Sequence, residues 1–250
     1  MGYVAGVAPV EGIVYPRQKE KPPFQTWDEI EATVIRGGLS KREKRELWDA
    51  LYLKKDEIDE LLEYVRINGK RPWLFALFVF AAHTGARKSE MLRSRVSDFR
   101  FDQGIVIIRE KKKKKGTETT RHVPLTPLLA KVMKDFLDNH HPGGPLTFCR
   151  VKDEPLGETT AHEAFKWLFR KTKWKVLRGY HVLRHSLISL LASRGVADRV
   201  IMAIVGHLNA ETTKRYTHLY PRTIQAAMDL VFGEEERPAL TGDPLVRSSE

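Results

Sequence analysis

A mostly helical α+β fold with one small antiparallel sheet is what this sequence predicts, and three observations predict it. Apolar residues recur at helical spacing over most of the chain, and residues 73–84 are apolar nearly all round, as a central helix is. One short β-branched run, residues 104–109 (GIVIIR), stands before a lysine-rich turn and a returning segment, residues 121–125 (RHVPL). A length of 250 residues with 42% apolar content is enough for one substantial core and a small second module.

The elements follow in order. Residues 1–25 are rich in Gly, Pro and charge without a sustained apolar period, which predicts an extended or disordered segment. Residues 27–35 and 41–53 mix Trp, Leu and Ile with charged residues at helical spacing. Together they are small for an independent domain. From Asp56 the pattern strengthens, with Ile58, Leu61, Leu62 and Val65 on one stripe, and the main core begins there. The strand 104–109, the turn carrying Lys111, Lys112, Lys113, Lys114, Lys115 and Gly116, and the return over 121–125 make a basic β-hairpin. Helical patterns resume at 126–139, 159–173, 180–194, 198–205, 209–219 and 223–232. After Gly233 the chain turns acidic and then rich in Pro, Gly and Ser, a flexible tail. The division is thus 1–25, a short helical segment over 26–55, a main domain over 56–232 and a tail over 233–250, with no internal repeat.

Composition narrows the partners. The 43 Lys and Arg against 32 Asp and Glu give a net charge of +11, which attracts polyanions and nucleic acid foremost, although basic ribosomal and membrane-surface proteins share it. Cys149 is alone, which excludes an internal disulfide or a paired thiolate metal site and points to a reducing cytoplasm. The longest apolar stretch, 73–82, is half the ~20 residues a membrane helix needs, so no membrane association is expected. The N-terminus has neither the basic start nor the apolar block of a signal peptide.

Three segments can carry chemistry. In residues 83–95 (HTGARKSEMLRSR), Arg87 follows a glycine able to end the apolar helix, and Glu90 lies at i+3, where it can hold the guanidinium rigidly. An ordinary structural ion pair has the same look. In residues 180–195 (YHVLRHSLISLLASRG), Leu183, Leu187, Leu190 and Leu191 form one stripe while His181, Arg184 and Ile188 line its neighbour. Buried arginine is rare unless paired, and no carboxylate lies in this segment, so a phosphate or a distant partner such as Glu90 is required. His181 and His185 have the spacing of helical zinc ligands, but Val182 stands where a catalytic Glu is needed and Arg184 would set a cation beside the metal. A zinc hydrolase is therefore rejected. In residues 204–221 (IVGHLNAETTKRYTHLYP), Gly206 ends one helix, His207 lies at the junction and Asn209 can cap the next helix. Tyr216 follows two turns in, where a tyrosine ordinarily packs, and Tyr220 competes with it.

Taken together, residues 56–232 closely resemble the catalytic domain of tyrosine recombinases, the phage-integrase family of site-specific DNA recombinases. The family pattern is TGxRxxE, a Lys on a β-hairpin, HxxR followed by His, a GH junction, and a Tyr nine residues after that histidine. Here stand TGARKSE, the lysine-rich hairpin, HVLRHS, VGHLNAETT, and Tyr216 nine positions after His207. The resemblance implies the tyrosine-recombinase catalytic fold. It also implies that Arg87 and Arg184 clamp the scissile phosphate, that His207 donates to a nonbridging oxygen, and that His181 is the imidazole near the nucleophile. Tyr216 would form a 3′-phosphotyrosyl link, with Glu90 orienting Arg87. Lys112, with Lys111 and Lys113 close behind, would protonate the leaving 5′ oxygen, and the rest of the Lys111–Lys115 run would contact DNA backbone.

No metal, ATP or other cofactor is implied. The expected partner is double-stranded DNA, and the expected assembly a homotetramer on two duplexes, with residues 223–232 as a candidate docking helix. DNA integration and mobile-element recombination are the implied roles. Family members usually carry an N-terminal helical clamping domain, whereas only residues 1–55 precede the match, so 26–55 reads as a possible remnant of one. The alternative reading is a truncated DNA-binding protein of the same fold without full recombination activity.

Overall fold

In a computed structural model the described residues are 21–110, 119–206, 213–216 and 219. Helices α1 (Trp27–Arg36) and α2 (Lys41–Trp48) each start at a reciprocal capping box, Thr26 with Glu29 and Ser40 with Glu43, so their first amides are satisfied locally. Helix α3 (Lys55–Asn68) buries Ile58, Leu61, Leu62 and Val65 against α4 (Pro72–Thr84). Pro72 opens α4 at a position where its missing N–H is no loss. Ten of the 13 residues of α4 are buried, because α6 (Pro127–Asn139) and α8 (His181–Ser193) pack on it as well. It is the central helix of the core.

Strands β1 (Phe99–Arg100), β2 (Ile105–Arg109) and β3 (Thr120–Pro124) form an antiparallel sheet in that order, with Ile108 opposite Arg121. Burial alternates as the pleat requires: Val106 and Ile108 face inward on β2, Arg121 and Val123 on β3. A two-stranded sheet of β4 (Cys149–Val151) and β5 (Glu154–Pro155), which the hydrophobic pattern did not announce, precedes α7 (Glu158–Phe169). Helix α9 (Asp198–Val205) ends at Gly206. Among the described residues no helix is long and apolar enough to cross a membrane.

Two expected helices are shorter than their apolar pattern. The 41–53 pattern is helical only to Trp48, because Leu51 bridges to Gln25 and the backbone of Ala50 and Tyr52 bonds to Gln25 in extended form. The 159–173 pattern breaks after Phe169, where Thr172 caps a separate 3₁₀ turn, Lys173–Val176. Ile30, Leu51 and Leu53 belong to the same core cluster as α4. A smaller cluster joins Phe24, Ala50, Ile188, Ala192, Ile201, Val205 and Tyr216. The hairpin tip with Lys111, Lys112, Lys113, Lys114 and Lys115, the junction residue His207, the candidate helix 223–232 and the tail lie outside the described residues.

Candidate active site

The site forms where α4, α9 and α8 meet. Gly85 stops α4 in the left-handed conformation at φ +60°, and a Cβ there would fall 2.9 Å from Val205 Cγ1 and 3.2 Å from Leu187 Cδ2. Only glycine allows so close an approach. The freed carbonyl of Gly85 accepts from Nη1 of Arg184 at 2.7 Å, and the last carbonyl of α9, at Val205, accepts from the same nitrogen. Arg184 therefore sits at the negative ends of two helices, which favour a cation. Its Nη2 has no hydrogen-bond partner among the described residues, although the side chain is only 4% exposed. Burial first, and the positive charge of Arg87 second, draw its pKa down to about 10.

The turn after Gly85 brings Arg87 to the start of α5 (Lys88–Leu92). Glu90, 3% exposed, accepts from Arg87 Nη1 at 2.9 Å with one oxygen; with the other it accepts from the Arg87 amide at 2.9 Å and from Arg121 Nη2 at 2.8 Å. Burial pushes this carboxyl up, but the Arg121 and Arg87 contacts outweigh it and hold the group below the usual carboxylate range. Glu90 is thus committed to Arg87 and Arg121, and the Arg184–Glu90 pair that the sequence left open is not formed. At the head of α8, His181 keeps a solvent-exposed surface; burial of the remainder and the cations Arg184, Arg87 and Lys88 push its pKa down, leaving a neutral imidazole.

Tyr216 is 2% exposed, and its hydroxyl lies 2.9 Å from Nδ1 of His185. The Phe24 ring stacks on it at 4.4 Å and 19°, and also lies 4.3 Å from the His185 ring. Backbone and cation complete the clasp: the Phe24 amide donates to the Arg215 carbonyl at 3.2 Å, Arg215 Nε donates to the Pro22 carbonyl at 2.8 Å, and the Arg215 guanidinium sits 3.8 Å from the Phe24 centroid. Burial pushes the Tyr216 phenol up, against the opposing pull of Arg184 and then Arg215. His185 is pushed down to about 3, by burial first and then by His181, Arg215 and Arg184. It is neutral at ordinary pH. A cleft of about 210 Å³, bounded by Trp48, Leu177, Arg178, His181 and His185 among others, opens beside the two histidines.

Of the sequence-derived candidates, Arg87, Glu90, His181, Arg184 and Tyr216 are described and gathered here; Lys111 to Lys115 and His207 are outside the described residues. Three participants are not among them. In the sequence His185 has the spacing of a zinc ligand and the place of the histidine after HxxR, without an assigned role; among the described residues it is the imidazole that touches Tyr216. Arg121 is readable from strand alternation, since it shares the inward face with Val123. Phe24 has no local signal, because its partners lie nearly the whole chain away. Chemically, two guanidiniums and a neutral imidazole beside a phenol suit a phosphodiester.

The description Phage integrase family matches residues 52–222. Tyrosine recombinase XerA of Pyrococcus furiosus is 29% identical over 180 residues, covering 71% of this chain and 60% of that protein. Tyrosine recombinase XerD of Staphylococcus epidermidis is 27% identical over 187 residues, covering 67% of this chain and 57% of that protein. The match thus spans about three fifths of the length of these relatives. In fold, the chain resembles the crystal structure of XerA recombinase (20% identity, TM-score 0.58, covering 83% of this chain and 82% of that one). It also resembles the Tn1549 transposon integrase in complex with a circular intermediate DNA (16% identity, TM-score 0.59, covering 82% and 83%).

Proposed function

This chain belongs to the phage integrase family, and from that premise we propose that it is a site-specific DNA recombinase that cuts and rejoins strands through Tyr216 without metal or ATP. The observation that carries the proposal is Arg184: a buried guanidinium that, among the described residues, has no carboxylate partner and one nitrogen without any partner, with electrostatic coupling to Arg87 and Tyr216. An unpartnered charged donor in such a place is costly unless an anion meets it. A scissile phosphate has the charge and the oxygens to do so.

In this mechanism Arg87 and Arg184 hold the nonbridging oxygens, with His207 as a further donor. The Tyr216 oxygen attacks phosphorus as its proton passes to an imidazole, His181 or its neighbour His185. The bond from phosphorus to the 5′ oxygen breaks, and that oxygen takes a proton from the hairpin, Lys112 being favoured over Lys111 and Lys113. One phosphoester replaces another, so the reverse reaction reseals the strand. Cationic donors arranged in advance favour both the phenolate and the charge of the transition state. Duplex DNA is the substrate, and assembly of four copies on two duplexes is the arrangement in which strands would exchange.

A covalent trap tests this. Incubation with nicked duplex carrying the target site should give a protein–DNA adduct that resists denaturation, survives chelator and is lost in Tyr216→Phe. The burial of Tyr216 under Phe24 supports a second reading, a protein of this fold that binds DNA and does not cleave it. DNA binding without any adduct on its target would establish that reading instead.

A further inference from the structure

Arg121 is turned inward by the alternation of β3, on the face it shares with Val123, and is 8% exposed. A guanidinium there must find acceptors, and it finds three on three elements. Nη2 donates to Glu90 Oε2 at 2.8 Å near the start of α5, Nε to the Ile204 carbonyl at 2.8 Å in the last turn of α9, and Nη1 to Glu110 Oε1 at 3.4 Å just past β2. The planar fork of arginine supplies donors in these divergent directions, which the point charge of lysine does not. Gly206 closes against the same group: at φ +83°, a Cβ there would lie 2.7 Å from Glu110 Oε1 and 3.0 Å from Arg121 Nη1.

We infer that Arg121 is a positioning residue for the phosphate clamp, fixing Arg87 through Glu90 and locking that clamp to the basic hairpin and to the α9–Gly206 turn. The inference rests on the proposed reaction and deepens it. Glu90 has two tasks, holding the Arg87 backbone and holding its guanidinium, and Arg121 pins the oxygen that accepts from the Arg87 amide. Without Arg121 that carboxylate loses one of its two cations and is free to turn, and Arg87 turns with it. The hairpin joins the same linkage, because Glu110 also accepts from Thr119 Oγ1 at 2.6 Å, across the two strands that carry the Lys111–Lys115 run. DNA binding as a whole depends on many phosphate contacts, so the rate of cleavage is more sensitive to this linkage than affinity is.

The test is single-turnover trapping on the nicked duplex at saturating DNA, with affinity measured separately in a Tyr216→Phe background. Arg121→Gln should slow adduct formation by about tenfold to a hundredfold, the equivalent of one charged hydrogen bond, with a much smaller change in affinity. The acidic limb of the rate profile should also move to higher pH, because Glu90 has lost a cation. The charged groups facing Glu90 are Arg87 beside it, Arg121 from β3 with Glu110 behind, and Arg184 and His181 from α8. Arg121→Lys, which keeps the charge and part of the geometry, should recover some of the rate and return the pH limb. In a Glu90→Gln background, Arg121→Gln should add no more than about a twofold loss, because the two act as one unit.

Three results would overturn the inference. One is a wild-type rate in Arg121→Gln; another is an Arg121→Gln loss that multiplies with that of Glu90→Gln. The third is a loss confined to the folded fraction, with the rate per folded molecule and the pH profile unchanged. If Arg121→Gln does not fold, Arg121→Lys and the double variant carry the same comparisons. Absence of any adduct from the wild-type protein on its target overturns the proposed reaction itself, and this inference with it.

Discussion

Phe24 and Tyr216 occupy one packing site, and a phenol 2% exposed cannot meet phosphorus while the ring above it stays in place. In the proposed reaction, attack by Tyr216 requires the stack to open. Phe24→Ala should therefore form the DNA adduct about two- to tenfold faster, if a stacking contribution of about 0.5–1.5 kcal/mol opposes opening. It should also melt at lower temperature, since a buried ring has been removed. A slower or unchanged rate of trapping would show that Phe24 aligns the tyrosine rather than covers it. His185 gives a pH signature. Its folded pKa of about 3 lies below the ordinary 6.5, so below pH 6.5 the unfolded chain binds the extra proton and folding stability declines towards pH 3. His181 shifts in the same direction. The melting temperature should fall on acidification through this window, and less steeply in His185→Asn. A loss of about 1 kcal/mol would lower it by about 2–4 °C in a domain of this size.

Helices that make their own signals are legible in the sequence. The all-round apolarity of 73–84 marks α4, the leucine stripe marks α8, and the basic hairpin shows itself with its return strand at 121–125. Elements whose ends depend on distant partners are not legible. Leu51 and Leu53 continue the helical spacing of α2, but an extended pairing with Gln25 claims that segment, which no local pattern reveals. The β4–β5 pair is too short to show a period. The turn at Gly85 is the element on which the site depends most. Gly85→Ala would add strain at positive φ and an approach under 3 Å to Val205. It should destabilise the fold by about 1–3 kcal/mol and slow cleavage further, through the displaced carbonyl that Arg184 uses. Calorimetry and adduct trapping on the same sample measure both; a stability loss with a normal rate would show that Arg184 does not need that acceptor.

Across the whole molecule, the site is drawn from segments as distant as 24, 87, 121, 184 and 216, held together by one core and one satellite cluster. The motif residues with fixed spacing are readable because chemistry restricts their identities. Phe24 is not, and Arg121 and His185 are readable only as an inward strand position and a motif histidine, because the partners that give them their roles come near only after folding. Charge acts at this scale too. With a net +11, DNA affinity should fall steeply with salt, and replacing Lys111 to Lys115 by serine should flatten the slope of log affinity against log salt by about 0.9 for each phosphate that a lysine no longer neutralises. A slope equal to that of the unaltered protein, in filter binding across a salt series, would show that the run is not at the DNA surface.

The clasp between Pro22–Phe24 and Arg215–Tyr216 also makes the beginning of the described chain a mechanical gauge of its end. A pull on the polypeptide upstream of Pro22 would draw the cover off the phenol. By thermodynamic reciprocity, a tyrosine drawn towards phosphate releases the upstream chain by the same free energy. In the proposed reaction, displacement of Pro22–Phe24 and release of the Tyr216 phenol would then be two ends of one lever.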